Sequence, residues 1–182
     1  QHLVDSGLVD PRRIAIRGGS AGGFTVLSAI TRSSVFTAAS SCFGVTDLKR
    51  LVRTTHKFES HYIGQLIGTQ DIDDPVLDER SPINHIEDIS VPLLLIQGSE
   101  DPVVPAEQAT AMYEALKEAG APVALEVFQG EGHGFRLAAN IRRRYEAELS
   151  FYRQVWKIGG ACSEPDGQSE EETFTVKVEN LH

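Results

Sequence analysis

One stretch, Arg13–Phe24 (RIAIRGGSAGGF), constrains the fold more than the rest of the chain. A compact apolar run of β type, Arg13–Arg17, enters Gly18-Gly19-Ser20-Ala21-Gly22 and leaves as a helical pattern with almost no loop between. A strand that turns this sharply into a helix forces the residue at the turn into strained backbone space and leaves its neighbours little room for Cβ atoms. Gly18, Gly22 and Gly23 meet that need, and the pattern is the G-x-S-x-G strand–turn–helix that lifts a serine hydroxyl above a sheet. Ser20 is therefore the candidate nucleophile, and the Ala21 N–H at the helix N-terminus is the candidate donor to a developing oxyanion. The competing reading is a plain glycine turn or a phosphate-cradling loop. A Walker-type loop needs a Lys-Ser/Thr pair after its last glycine, and Phe24 stands there instead.

Beyond this turn, short apolar runs alternate with longer segments of helical period, which predicts an α/β domain with a mostly parallel sheet and helices on both faces. The predicted strands are Arg13–Arg17, Ala38–Phe43, Pro92–Gln97 (PLLLIQ) and Val123–Phe128 (VALEVF). Ala109, Met112, Tyr113 and Leu116 share one helical face, so Pro105–Ala119 reads as a helix that opens on Pro105 and stops before Gly120 and Pro122. From about Leu137 to Trp156, the spacing of Ile141, Tyr145, Leu149, Tyr152 and Trp156 predicts a long helix packed on the sheet. The middle stretch Leu48–Asp88 is too irregular to divide. Ser163–Thr173 (SEPDGQSEEET) is acidic and nearly without apolar residues, which cannot offset the entropy of ordering a backbone. Residues 1–158 are thus expected to form the folded domain and 159–182 a flexible tail, within which Phe174–Val178 alternates like a strand without an identifiable partner.

The 182 residues, 41% of them hydrophobic, suffice for one globular domain with a real core. With 26 acidic against 17 basic residues, the surface offers no footprint for nucleic acid or anionic lipid. No run approaches the ~18 apolar residues of a membrane span, and no charged-then-apolar leader opens the chain, so a soluble, cytoplasmic protein is expected. Two cysteines make no disulfide framework; Cys42 reads as a small hydrophobe in a buried strand and Cys162 as the start of the tail. His61 has no His or carboxylate companion at ligand spacing, so no metal and no cofactor are expected.

A serine hydroxyl is a weak nucleophile without a base, and an imidazole base needs a third group to fix its tautomer. In α/β-hydrolases these follow in the order serine, acid, histidine. Gln97–Pro105 (QGSEDPVVP) places Asp101 just past the most apolar strand, where catalytic groups of open sheets collect. Gln129–Phe135 (QGEGHGF) places His133 between Gly132 and Gly134, just past the next strand. The rival acid is Asp47, in GVTDL after the second strand, which serves equally well as a helix cap. Asp101 before Pro102 also suits a simple turn. None of His2, His56, His61, His85 and His182 has a comparable strand-to-loop setting.

Taken together, RGGSAGGF, LLLIQGSEDPVVP and FQGEGHGF resemble the C-terminal catalytic domain of the prolyl oligopeptidase family of serine peptidases, especially its dipeptidyl-peptidase and acylaminoacyl-peptidase-like branch. Thr55–Gly64 and Glu79–Ile83 look similar to that branch too, with no role carried over. The resemblance implies an α/β-hydrolase fold and hydrolysis of short peptides through an acyl-enzyme, with Ser20 as nucleophile, Asp101 as acid and His133 as base. Members of the family carry an N-terminal β-propeller that restricts access, and nothing in this chain supplies one. The chain begins at Gln1 inside an apolar segment, so the early strands of the domain and the loop giving the second oxyanion donor are expected upstream of it. Position 21 commonly holds an aromatic residue in the family, so Ala21 implies a different wall of the substrate pocket. Two other readings stay open: a carboxylesterase, which uses the same acyl chemistry, and an inactive fragment acting as a binding or scaffold module. The latter goes with poor solubility or oligomerisation, because Arg13–Arg17 would become an edge strand.

Overall fold

The computed structural model describes residues 2–54, 64, 65, 67–69, 71–158 and 175–181. Among the described residues, a short helix α1 (His2–Asp5) is followed by β1 (Ala15–Gly19), α2 (Ala21–Ile30), β2 (Ala38–Cys42), α3 (Leu48–Thr54), α4 (Pro75–Arg80), β3 (Leu93–Gly98), α5 (Ala106–Glu118), β4 (Val123–Phe128) and α6 (Ala138–Trp156). A 3-10 segment, Pro82–Asp88, leads from α4 toward β3. The strands form one parallel sheet in the order β1-β2-β3-β4, so every loop that leaves a strand's C-terminal end opens on the same edge.

Alternation along the strands divides the core into two layers. Ala39, Leu93, Leu95 and Val123 face α2 and α5, packing on Val26, Leu27, Ile30, Met112 and Leu116. Ala38, Leu94, Ile96 and Ala124 face the opposite side and meet Ala147 and Phe151 of α6. Every residue of β3 is buried, as its unbroken apolar run requires. Truncating one of its leucines to Ala would cost about 2–5 kcal/mol. Among the described residues no helix is long and apolar enough to cross a membrane.

The expected strand Arg13–Arg17 lies two residues further on, at Ala15–Gly19. Ile14 gives its N–H to the Thr37 hydroxyl instead of the ladder, while Gly18 and Gly19 pair with Ser41 and Cys42. The helix expected at Pro105–Ala119 spans Ala106–Glu118, with those two residues as its caps and Gly120 at φ +77° just beyond.

One packing expectation is corrected. The long C-terminal helix α6 does lie on the sheet, but its innermost residues are Ala147, Glu148 and Phe151, with Tyr152 and Trp156 partly buried beside them. Ile141, Tyr145 and Leu149 point outward, at 37%, 53% and 50% exposure. The inner face is set by a small residue that lets the helix approach and by an ion pair: Glu148 receives both Nε and Nη2 of Arg17 from β1, at 2.9 and 2.8 Å. Residues 159–174 and 182, including Cys162, lie outside the described residues, as do His56 and His61. Residues 175–181 pack against the domain: Val176 is buried in the α6-side core, and Glu179 bridges antiparallel to Val123.

Candidate active site

β1 ends at Gly19 and α2 begins at Ala21, so Ser20 alone makes the turn. Its φ of 56° and ψ of −122° lie in a region that costs a non-glycine residue about 1–3 kcal/mol. Two backbone bonds hold it there. Ser20 N–H donates to the Cys42 carbonyl at 3.0 Å, and the Ser20 carbonyl accepts the Phe24 N–H at 3.0 Å. A serine ahead of a helix ordinarily spends its hydroxyl on capping the first turn. The Ser20 hydroxyl makes no such bond. Close approach explains two of the three glycines. A Cβ on Gly18 would run into the Gly22 carbonyl, and one on Gly23 would sit 2.7 Å from the Gly44 Cα. Gly22 is different, because a Cβ there meets nothing within 4 Å; its backbone is the obstacle for Gly18.

The loops after β3 and β4 bring the other two expected residues to the same point. His133 Nε2 lies 2.8 Å from Ser20 Oγ, and His133 Nδ1 lies 2.8 Å from Asp101 Oδ2. The Asp101 side chain is fully buried and that of His133 is 22% exposed. Asp101 is held on both oxygens: Oδ1 accepts the Val103 and Val104 N–H groups at 2.8 and 2.9 Å, and Oδ2 accepts Gln97 Nε2 at 3.1 Å. The turn-forming role and the His133 contact therefore belong to one carboxylate. All of its partners are placed to donate, which assigns the Nδ1 proton to the Asp101 side and leaves Nε2 as the acceptor facing Ser20.

Two residues of this arrangement have no counterpart in the sequence reading. Gln97, at the end of β3, spans Asp101 Oδ2 and the Val104 carbonyl, tying both ends of the acid loop. Glu131 is buried beneath the histidine loop and accepts the Arg136 N–H, the Leu137 N–H and Asn140 Nδ2 at 2.9, 3.1 and 2.8 Å. These donors, the Arg136 N–H foremost, hold its carboxyl below the ordinary Glu range. The Glu131 carbonyl also receives the Glu100 N–H at 2.9 Å, linking the two loops. A charged residue inside the glycine-rich run QGEGHGF was the available signal for it. An open cleft of about 680 Å³ lies on the imidazole side, lined in part by Pro102, Val103, His133 and Leu137.

The rivals lie elsewhere. Asp47 caps α3 by accepting the Arg50 N–H at 2.9 Å, and its own N–H is bound by Gln108. Burial pushes the Cys42 thiol up to about 11, which makes it inert, in keeping with its place in the core. Among the described residues no cluster of His, Cys, Asp and Glu is suited to hold a metal ion.

The chain belongs to the prolyl oligopeptidase family, whose model matches residues 1–159. It is 30% identical to the dipeptidyl aminopeptidase BIII of Pseudoxanthomonas mexicana over 92% of its own length and 25% of that protein. It is 31% identical to the esterase LipQ of Mycobacterium tuberculosis, over 81% of its length and 38% of that enzyme. Among solved structures, a puromycin-hydrolysing peptidase of Mycobacterium tuberculosis superposes with a TM-score of 0.81 at 49% identity, covering 85% of this chain and 24% of that one. The fold is thus the α/β-hydrolase fold, and the chain spans about a quarter of the length of the first and third of these proteins.

Proposed function

We propose that this chain carries the catalytic centre of a serine hydrolase that cleaves short peptides through an acyl-enzyme. The observation that supports it most is the unbroken relay at 2.8 Å on each side of one imidazole, from Ser20 Oγ to His133 and from His133 to Asp101. In this reading, His133 Nε2 takes the Ser20 proton as Oγ attacks the scissile carbonyl, and later returns it to the leaving amine. Asp101 keeps the imidazole in the required tautomer and balances the imidazolium while it exists. The Ala21 N–H stabilises the oxyanion, a contribution worth about 10²–10³ in rate for a typical donor. Residues 1–158 form the hydrolase unit, and a propeller elsewhere in the full-length protein limits substrates to short peptides. Relatives named as a dipeptidyl aminopeptidase and a puromycin-hydrolysing peptidase favour the peptide assignment.

A fluorophosphonate probe on the full-length protein tests the nucleophile: labelling is expected in the wild type and none in Ser20→Ala. Labelling that persists in the variant excludes Ser20. No labelling of the wild type favours the binding or scaffold module. A carboxylesterase is the second reading, favoured by the likeness to an esterase. Comparing kcat/KM for peptide anilides and short acyl esters separates the two.

A further inference from the structure

Among the described residues, four non-glycine positions have positive φ, and three have local reasons. Ser20 makes the elbow, Lys157 ends α6 in the left-handed conformation usual for helix C-termini, and Asn180 is of a type that tolerates it. Phe43, at φ +41°, has no such reason, and a bulky side chain rarely adopts this conformation. A glycine or asparagine would fit there at less cost.

What holds Phe43 is its surroundings. Its N–H donates to the Ile96 carbonyl at 2.7 Å, the carbonyl before it receives the Ser20 N–H, and Gly44 after it abuts Gly23. The turned backbone sends the ring over the end of β1, so close that a Cβ on Gly19 would lie 3.0 Å from it. The other side of the ring meets His133 edge-on, with centroids 5.0 Å apart and planes at 60°, and Phe135 backs it at 6.0 Å. The ring is thus wedged between the strand that delivers Ser20 and the imidazole that faces it.

We propose that Phe43 is a positioning residue whose ring sets the plane of the His133 imidazole relative to Ser20. This rests on the reading of Ser20 and His133 as nucleophile and base. A purely structural Phe43, packed with the α6-side core, would accept another apolar residue of similar volume. A positioning ring would not, because a misplacement on the order of 1 Å between reacting groups can cost about 10²-fold in rate.

The test compares Phe43→Leu, Phe43→Ala and Ser20→Ala in the full-length protein, reading kcat and KM on a peptide anilide, the fluorophosphonate labelling rate and Tm. Phe43→Leu is expected to lower kcat and the labelling rate together by about 10- to 100-fold, with KM within twofold and Tm nearly unchanged. Phe43→Ala should follow it in kcat. Unchanged kcat in Phe43→Leu, or a raised KM at constant kcat, overturns the proposal, as does failure of Phe43→Leu to fold. Activity that survives in Ser20→Ala overturns the triad reading and this one with it. An inactive Ser20→Ala beside a fully active Phe43→Leu overturns this one alone.

Discussion

Ser20 is positioned by backbone alone, whereas Asp101 and His133 depend on side-chain bonds as well. The serine sits at a single strained residue between a strand and a helix, fixed by two backbone bonds and by the close approach of Gly18 to Gly22 and Gly23 to Gly44. The other two stand on loops, and the bonds that hold them run through Asp101, Gln97 and Glu131. The difference teaches that the two sides should fail differently. Changes at the elbow disturb folding first, because strand and helix cannot move apart independently of the core. Changes in the loops disturb chemistry first, because the backbone beneath them stays folded.

The largest expected effect tests the loop side. In Asp101→Asn, the side-chain oxygen can keep the Val103 and Val104 N–H groups, which turns its NH₂ toward His133 Nδ1. The imidazole must then accept at Nδ1 and carry its proton on Nε2, where it cannot serve as base. A fall in kcat of about 10⁴ is expected in the full-length protein, with a modest fall in Tm because the Asn NH₂ also replaces the acceptor of Gln97 Nε2. Asp47→Asn, which touches only the cap of α3, should leave kcat near wild type. A large loss from Asp47→Asn and none from Asp101→Asn would break the assignment of the acid.

The elbow side is tested by Gly18→Ala. The new methyl meets backbone, the Gly22 carbonyl, so nothing flexible can yield. A destabilisation of about 1–3 kcal/mol or more is expected in denaturant melts, with activity lost in proportion to folded protein. Gly22→Ala meets open space and should melt within about 1 kcal/mol of wild type. Equal damage from the two would mean that crowding does not shape the turn.

Glu131→Gln sharpens the loop side further. All three partners of the carboxylate donate, so the amide of Gln must present its NH₂ to a backbone N–H whichever way it is turned. The His133 loop should loosen, lowering kcat by about 10-fold, a smaller loss than in Asp101→Asn because the tautomer is kept. The sign of the pH effect follows from the depressed carboxyl. A folded pKa below the unfolded value contributes stability that is present above the ordinary Glu value of 4.5 and is lost as pH falls through the folded one. The gap in Tm between wild type and Glu131→Gln should therefore be full at pH 7 and narrow progressively as pH falls below 4.5. A gap that does not vary with pH would place the role of Glu131 elsewhere.

This contrast also explains what was legible in the sequence. Gly18, Ser20 and Gly23 could be read because a tight strand–helix turn imposes its residues locally. Val123–Phe128 was bounded as found, since Pro122 stands before it and Gly130 shortly after. Gln97 and Glu131 were harder to read, because their partners Asp101, Val104, Arg136, Leu137 and Asn140, though close in sequence, are brought to them by irregular loops whose path no periodicity reveals. The packed side of α6 could not be read either. Ile141, Tyr145 and Leu149 form an apolar stripe, but a stripe does not say which face meets the sheet, and Ala147 with the Arg17–Glu148 pair decided it. Phe43 left no local signal, since its backbone is held by the Ile96 carbonyl of β3 and by the approach of Gly44 to Gly23, both distant in sequence.

The smallest expected effect returns to Ser20 and asks whether its strain is real. Ser20→Ala and Ser20→Gly both remove the hydroxyl, so both should be inactive, and they differ only at the backbone. In an ordinary strand or helix, glycine melts lower than alanine by roughly 0.5–1 kcal/mol, because the unfolded chain gains freedom. At φ 56° the order should reverse or vanish, since alanine keeps the Cβ that makes this conformation costly and glycine does not. With a strain of about 1–3 kcal/mol set against that entropic handicap, Ser20→Gly should be as stable as Ser20→Ala or more stable by up to about 2 kcal/mol. Denaturant melts of the two variants side by side decide it. If Ser20→Gly melts lower by the usual glycine penalty, the turn carries no strain, and the distinction between a backbone-held serine and a side-chain-held base loses its footing.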